Sequence, residues 1–414
     1  MMFDLTKALT TKAKPVATVT SGVAGCTLFY QSQACFDLVQ EVFRFEGWSD
    51  PDCVRSKVGL TKLTEQQSNH IVILELNESN NVVEDAKSFA SKLPTHKGVV
   101  VIGQEDAIST LRSLKEMGFY YVFWPVNKQE FADFLNHVSN NLKTFSGVSQ
   151  KRKAKRVAIV GAKGGVGTSF ITTELSSLLS TQGSDTIFVD HQYANTSVDV
   201  LLGIKDFKPR AIDEFTAPLH EMDAEGAQSY LFNVRKNLRL LAIDGDMSQS
   251  DILNYNQTLC ELFTRNTNFI IEDFSGGVDF KVEPQLLVEN FDVVVLVFDA
   301  SVSSVRNAKR LFEKIANLQL SLSKRTRVIT VVNYHRPENA YALQYSDLSK
   351  YLEANIDLKI DYCKSLAHII IDGKQGHKHD HHIRRSMTLL VSLINGQPVE
   401  QKGMSSWLKK VRAK

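Results

Sequence analysis

The chain has 414 residues, too many for one ordinary domain, and two domains are the natural expectation. Hydrophobic residues make up 43% of it and charged residues 23%, with a net charge of +2. That balance describes a globular protein with real cores and gives no general case for binding nucleic acid. Cys26, Cys35, Cys53, Cys260 and Cys363 are scattered, which suggests neither a disulfide framework nor a Cys-x-x-Cys metal site. No apolar run reaches the ~20 residues of a membrane span or forms a signal-peptide core, so the chain is expected in the cytoplasm.

In chain order the first half alternates. Residues 27–30 read as a strand and 36–45 as a helix. Strand 71–74, helix 81–93, strand 98–102, helix 105–117, strand 120–123 and helix 128–142 follow. Short apolar runs alternating with helix-period segments predict an α/β fold, a parallel sheet covered by helices. Residues 146–156 break the pattern with a Ser-Gly-Val-Ser turn and the basic run Lys151, Arg152, Lys153, Lys155 and Arg156. The expected division is therefore a first domain 1–145, a basic linker 146–156, a second domain 157–402 and a tail 403–414. The basic run reads as a solvated linker, with a nucleic-acid or anionic-lipid contact as the alternative.

The second half carries chemistry. Strand 157–160 feeds Gly161, Ala162, Lys163, Gly164, Gly165, Val166, Gly167, Thr168 and Ser169, and an amphipathic segment begins at Phe170. Strand, glycine-rich turn and helix form the context a phosphate loop requires, because backbone N–H groups and the helix dipole converge on an anion. Ser169 stands where a hydroxyl would ligate Mg²⁺, and Thr168 where a lysine would normally reach the β- and γ-phosphates. The alternative is a glycine-rich turn with no ligand, and later elements weigh against it. Strand 186–189 ends on Asp190 and strand 269–271 leads to Glu272 and Asp273. Carboxylates at the carboxyl ends of parallel strands beside such a loop are placed to hold Mg²⁺ or its waters. Asp273, in an Asp-x-x-x-Gly pattern, is the Walker B candidate. Strands 293–298 and 328–332 follow, and Asn333 ends the latter, placed either to bond an adenine edge or to cap a loop.

Lys163, Gly164, Gly165, Val166 and Gly167, with a lysine near the loop's start, resemble the deviant Walker A motif of the MinD/ParA ATPases. Asp190, Asp273, the segment 301–306 and Val331, Val332 and Asn333 match that superfamily in order. The first half is similar to a flavodoxin-like response-regulator receiver without its chemistry. Glu75 occupies the phosphoacceptor aspartate's place, Trp124 stands in place of the lysine before Pro125, Gly103 replaces the hydroxyl residue, and no acidic pair follows the first strand. It reads as a pseudo-receiver for docking or dimerisation, with Glu75 a surface glutamate or a fixed charge mimicking phosphorylation. A phosphorylation-regulated response regulator is the reading these departures oppose.

A degenerate receiver ahead of such an ATPase resembles the TadZ/CpaE family of Flp (tight adherence) pilus assembly proteins over nearly the whole chain. The resemblance implies ATP and Mg²⁺, with nucleotide contacts from Gly161, Lys163 to Phe170 and Asn333. It implies Mg²⁺ held directly or through water by Ser169, Asp190 and Asp273. Lys163 would cross to the partner's nucleotide in a homodimer, and with Asp190 it is the candidate for any catalytic role. Pilus secretion proteins are the implied partners, at a polar site peripheral to the inner membrane; nucleic acid is not. Thr168 lacks the charge at the γ-phosphate, and the family's Asp-x-Asp reads Asp190, His191, Gln192 here. Either change removes several kcal/mol of transition-state stabilisation, on the order of 10²- to 10⁴-fold in rate. The expectation is ATP·Mg²⁺ binding and dimerisation with slow hydrolysis or none, the alternative an active ParA/MinD-type ATPase cycling on DNA or membrane.

Three features stand outside this frame. His377, His379, His381 and His382 read as a solvated loop, with a metal site as the alternative. Asp361 and its neighbours Ile360, Tyr362 and Cys363 lack the family's proline, leaving contacts to the base open. In the tail Trp407, Leu408 and Val411 share a helical face, which reads as a frayed end or a short membrane-surface anchor.

Overall fold

The computed structural model describes residues 23, 25–56, 70–93, 97–144, 153–193, 196–205, 207–212, 222–244, 248–275, 282–322 and 326–397. The tail candidates Trp407, Leu408 and Val411, and Lys151 and Arg152 of the basic run, lie outside them. Among the described residues no helix is long and apolar enough to cross a membrane.

The first unit runs β1 (Cys26–Tyr30), α1 (Gln33–Phe45), β2 (Asp52–Arg55), β3 (Ile71–Glu75), α2 (Val82–Ala90), β4 (Gly98–Gly103), α3 (Ile108–Glu116), β5 (Tyr120–Phe123) and α4 (Lys128–Thr144). Its strands form a parallel sheet in the order β2-β1-β3-β4-β5, the flavodoxin-like arrangement. Alternate strand residues face opposite cores. Leu28, Ile71, Ile73 and Val100 pack on α1 and α4, while Phe29, Val72, Leu74 and Val101 pack on α2 and α3. Burial on both faces is why these strands read as unbroken apolar runs. Helix α2 starts one residue later than expected because Asn81 is its N-cap, accepting from the Glu84 amide.

The second unit comprises β6 (Lys155–Gly161), α5 (Thr168–Thr181), β7 (Thr186–Asp190), α6 (Val198–Leu202), β8 (Arg210–Ala211), α7 (Ala224–Gln228), β9 (Phe232–Arg235), β10 (Leu238–Asp244), α8 (Gln249–Phe263), β11 (Phe269–Phe274), α9 (Pro284–Asn290), β12 (Val293–Phe298), α10 (Val302–Leu322), β13 (Arg327–Asn333), α11 (Tyr345–Leu352), β14 (Leu358–Ile360), α12 (Leu366–Ile371), α13 (Gly376–His379) and α14 (His381–Asn395). The sheet order is β14-β13-β12-β6-β11-β7-β10-β8, all parallel, with β9 antiparallel on β10. On one face Val157 and Ile159 pack with α5 and α14, and on the other Ala158 and Val160 pack with α9 and α10. Strand β6 sits where the direction of winding reverses, the crevice in which open α/β sheets bind ligands.

One boundary is corrected. Lys155 and Arg156, expected in a solvated linker, are strand residues: Lys155 Nζ donates to the Ile394 carbonyl at 2.9 Å, and Arg156 is buried against Glu272. The two units meet at the amino ends of the second sheet. The Ser184 hydroxyl donates to the Ser91 carbonyl at 2.7 Å, and the Asn268 amide donates to the Leu93 carbonyl.

Candidate nucleotide-binding site

The carboxyl end of β6 turns through Ala162 to Gly167 into the first turn of α5, which begins at Thr168. The turn is too tight for side chains at two of its glycines. A Cβ on Gly161 would lie 2.6 Å from Thr168 Oγ1. Gly167 holds φ +90°, and a Cβ there would run into the Asn333 amide. The same amide donates to the Val166 carbonyl at 2.8 Å. Asn333 thus braces the loop from the end of β13, a role distinct from both the adenine contact and the loop cap that the sequence suggests. Asn307 Nδ2 adds a longer bond to the Ala162 carbonyl, 3.3 Å. Phe170 packs against the core, so any contact it makes with a ligand comes from its backbone.

Lys163 is the only lysine in the loop. Its Nζ lies 3.1 Å from Asp299 Oδ2, just beyond the end of β12, with a third of the side chain exposed. Burial raises the Asp299 carboxyl's pKa, but the Ser301 hydroxyl and amide, then Lys163, outweigh it and hold the group below the ordinary carboxylate value.

Asp190 and Asp273 stand opposite each other in the β7–β11 register, at the carboxyl ends of both strands and both buried. Asp190 accepts from the Gln192 amide at 3.0 Å and from the Thr196 hydroxyl. Burial nevertheless lifts its pKa. Asp273 is pushed up to about 8, first by burial and then by the Asp190 charge, against the opposing Ser169 hydroxyl, Ser275 amide and Thr172 hydroxyl. Its Oδ1 is buried without a hydrogen-bond partner. Two buried carboxylates beside a loop-end hydroxyl, one with an unsatisfied oxygen, form a donor set that suits a hard divalent cation. Ser169, Asp273 and Asp190 are the residues that could hold it.

Strand alternation sends Glu272 and Phe274 away from the loop. Glu272 accepts from Arg156 at 2.5 and 3.1 Å, from Gln257 at 3.0 Å, and meets His191 Nε2 at 2.9 Å. His191 stacks on Phe274 with centroids 4.3 Å apart, and its Nδ1 lies 2.6 Å from the Tyr193 hydroxyl. The residues next to both carboxylates are thus locked into one buried polar network joined to α8. Burial raises the Glu272 pKa, but Arg156 and His191 more than reverse it.

Two sequence expectations change. The histidine run is helical, and His377 is buried: Glu174, on α5, accepts from the Gly376 and His377 amides at 2.7 Å each and meets His377 Nδ1 at 2.6 Å. His379, His381 and His382 are exposed, and no group of three metal-binding side chains forms among the described residues. Glu75 is wholly buried instead of lying on the surface, because its carboxylate accepts from the Gln31 and Ser32 amides at 2.7 and 2.9 Å, the Ser32 hydroxyl at 2.5 Å and Asn77 Nδ2 at 2.7 Å. It ties β3 to the start of α1.

Among solved structures the chain is similar to the MinC:MinD cell division complex of Aquifex aeolicus at 22% identity, covering 60% of this chain and 99% of that one with a TM-score of 0.48. A ParA family ATPase from Chlorobium tepidum TLS is 17% identical, with 58% and 98% covered and a TM-score of 0.48. The septum site-determining protein MinD of Pyrococcus horikoshii OT3, complexed with Mg-ADP, is 15% identical, with 58% and 96% covered and a TM-score of 0.45. No curated protein matches the chain. The model of the CobQ/CobB/MinD/ParA nucleotide binding domain matches residues 157–375, from β6 to the residue before α13, and the chain belongs to that family.

Proposed function

We propose that the chain is an ATP·Mg²⁺-binding switch that forms a nucleotide-dependent homodimer, hydrolyses ATP slowly or not at all, and serves as a localisation and assembly factor for a Flp-type pilus secretion system. The observation that carries this reading is the loop itself: a braced phosphate cradle whose one lysine, Lys163, lies at its start while Thr168 fills the usual lysine position. Gly161 and Gly164 to Phe170 form the cradle for the phosphates. Ser169, Asp273 and Asp190 hold Mg²⁺, which supplies the positive charge that the buried carboxylate pair lacks. Asp299 holds Lys163 on the surface, from which it exchanges a carboxylate for a partner's phosphate at little electrostatic cost. A hydroxyl at Thr168 leaves binding largely to the backbone and removes charge stabilisation from the transferring group. Support for the pilus role comes from the order of domains, a receiver-like sheet ahead of a MinD/ParA-like one, with the first unit as the docking module. The site is cytoplasmic, and polar placement at the inner membrane belongs to the same reading.

Light scattering of the purified chain with and without ATP·Mg²⁺, beside a phosphate-release assay, tests this. A dimer that appears only with nucleotide and turns over far below one per second supports it. Turnover stimulated by DNA or lipid vesicles replaces it with a cycling ATPase of the ParA or MinD kind.

A further inference from the structure

Asp190 and Asp273 are partners on neighbouring strands and both are buried, so without a cation beside them their charges repel. What ties the two strand ends together lies on the other face of the sheet. One residue after Asp190 and one residue before Asp273, strand alternation turns His191 and Glu272 toward α8. There His191 Nε2 meets Glu272 Oε2 at 2.9 Å, with no part of either side chain exposed. A carboxylate only accepts, so Nε2 carries the proton of this bond. The imidazole is fixed on its remaining sides too: it stacks on Phe274 with centroids 4.3 Å apart, and Nδ1 lies 2.6 Å from the Tyr193 hydroxyl. The His191 amide donates to the Asp273 carbonyl at 3.3 Å, which carries the β7–β11 ladder one step past Asp190. Glu272 is anchored in turn by Arg156 on β6 and Gln257 on α8.

We infer that His191 is a positioning residue for the cation site: with Glu272 it forms a strut behind the carboxylate pair that keeps Asp190 and Asp273 opposite each other before any ion arrives. This rests on Ser169, Asp190 and Asp273 being the Mg²⁺ set. Groups that order the ligands in advance leave less to be rearranged on binding, so the strut raises affinity for the ion without touching it. On the near side the Gln192 amide and the Thr196 hydroxyl hold Asp190 as well, so this carboxylate is fixed from both faces of the sheet. The phosphate cradle is made by the turn from β6 into α5, and neither member of the strut belongs to it. Nucleotide without Mg²⁺ should therefore be indifferent to the strut.

Titration of the full chain with a fluorescent ATP analogue, first in EDTA and then at rising Mg²⁺, tests this. His191→Leu leaves Glu272 bonded to Arg156 and Gln257, so the fold should stand while the Mg²⁺ needed for half of the metal-dependent binding rises roughly tenfold or more. Affinity in EDTA should stay close to that of the parent chain. His191→Gln, whose amide nitrogen donates to Glu272 in place of Nε2, should return the Mg²⁺ response toward the parent's, which a role in packing alone would not do. Tyr193→Phe deletes only the hydroxyl beside Nδ1 and should shift the response the same way by less; it decides the matter if His191→Leu does not fold. An unchanged Mg²⁺ response in the folded variants overturns the inference, as does an equal loss of affinity with and without Mg²⁺. A parent chain that binds the analogue and ignores Mg²⁺ overturns it too, whereas a parent chain that binds no analogue removes the proposed function itself.

Discussion

At the scale of single residues the loop divides one job between two positions. Lys163 brings the charge and Thr168 brings only a hydroxyl, so the two substitutions should act differently. Lys163→Ala should weaken the ATP-dependent dimer tenfold or more while leaving ATP binding by the monomer less affected, read by light scattering beside fluorescent-nucleotide titration. Thr168→Lys should raise phosphate release, by roughly 10²-fold if the missing charge is the main deficit. Asp273→Asn removes the like-charge conflict with Asp190. In a thermal melt without Mg²⁺ it should raise Tm by roughly 2–4 °C for each kcal/mol relieved, and it should abolish the further rise that Mg²⁺·ATP gives the parent chain. The glycines, Ser169 and the two aspartates are legible in the sequence because their spacing is local and fixed by strand, turn and helix. The brace from Asn333 is not, since it joins positions that only the sheet order brings together. Glu75 shows the opposite failure. A lone glutamate after an apolar run looks solvated, and nothing local announces the two amides and the hydroxyl that compensate its burial.

At the scale of elements, the strands behind the site are held by charge as well as by apolar packing. Arg156 on β6, Glu272 on β11 and His191 after β7 join three neighbouring elements through one buried carboxylate. Arg156→Met strands that carboxylate and should cost about 3–5 kcal/mol in urea unfolding. Adding Glu272→Met should recover most of the loss, because an apolar pair of similar volume needs no counter-charge. Strands buried on both faces were legible as continuous apolar runs. Strand β2, with Asp52 and Arg55 at its ends, does not stand out, and α13 reads as loop. It is a glycine followed by three polar residues, and the carboxylate that binds its start comes from Glu174, 202 positions away from Gly376.

At the scale of the molecule, the described residues of the first unit touch the second sheet at its amino ends, the end opposite the loop that the proposed dimer uses. Lys155 marks the same end. Burial, then Lys87 and, against Asp292, Arg327 bring its pKa down to about 8 from 10.5. Between those values the unfolded chain keeps a proton that the folded chain has released, so Lys155 makes stability rise with pH across that window and contributes a constant penalty below it. Lys155→Met should flatten this rise in melting curves taken from pH 8 to 10. The Asn333–Val166 bond has a further reach, since it closes over 167 positions of chain. Contacts of such separation form late, after the intervening strands have paired. On the ribosome, the first unit and the strands up to β12 emerge before the residue that shapes the loop exists. A nascent chain therefore carries its first unit well before its braced loop, and if copies pair as proposed, the order of synthesis itself keeps unfinished ones from pairing through that loop.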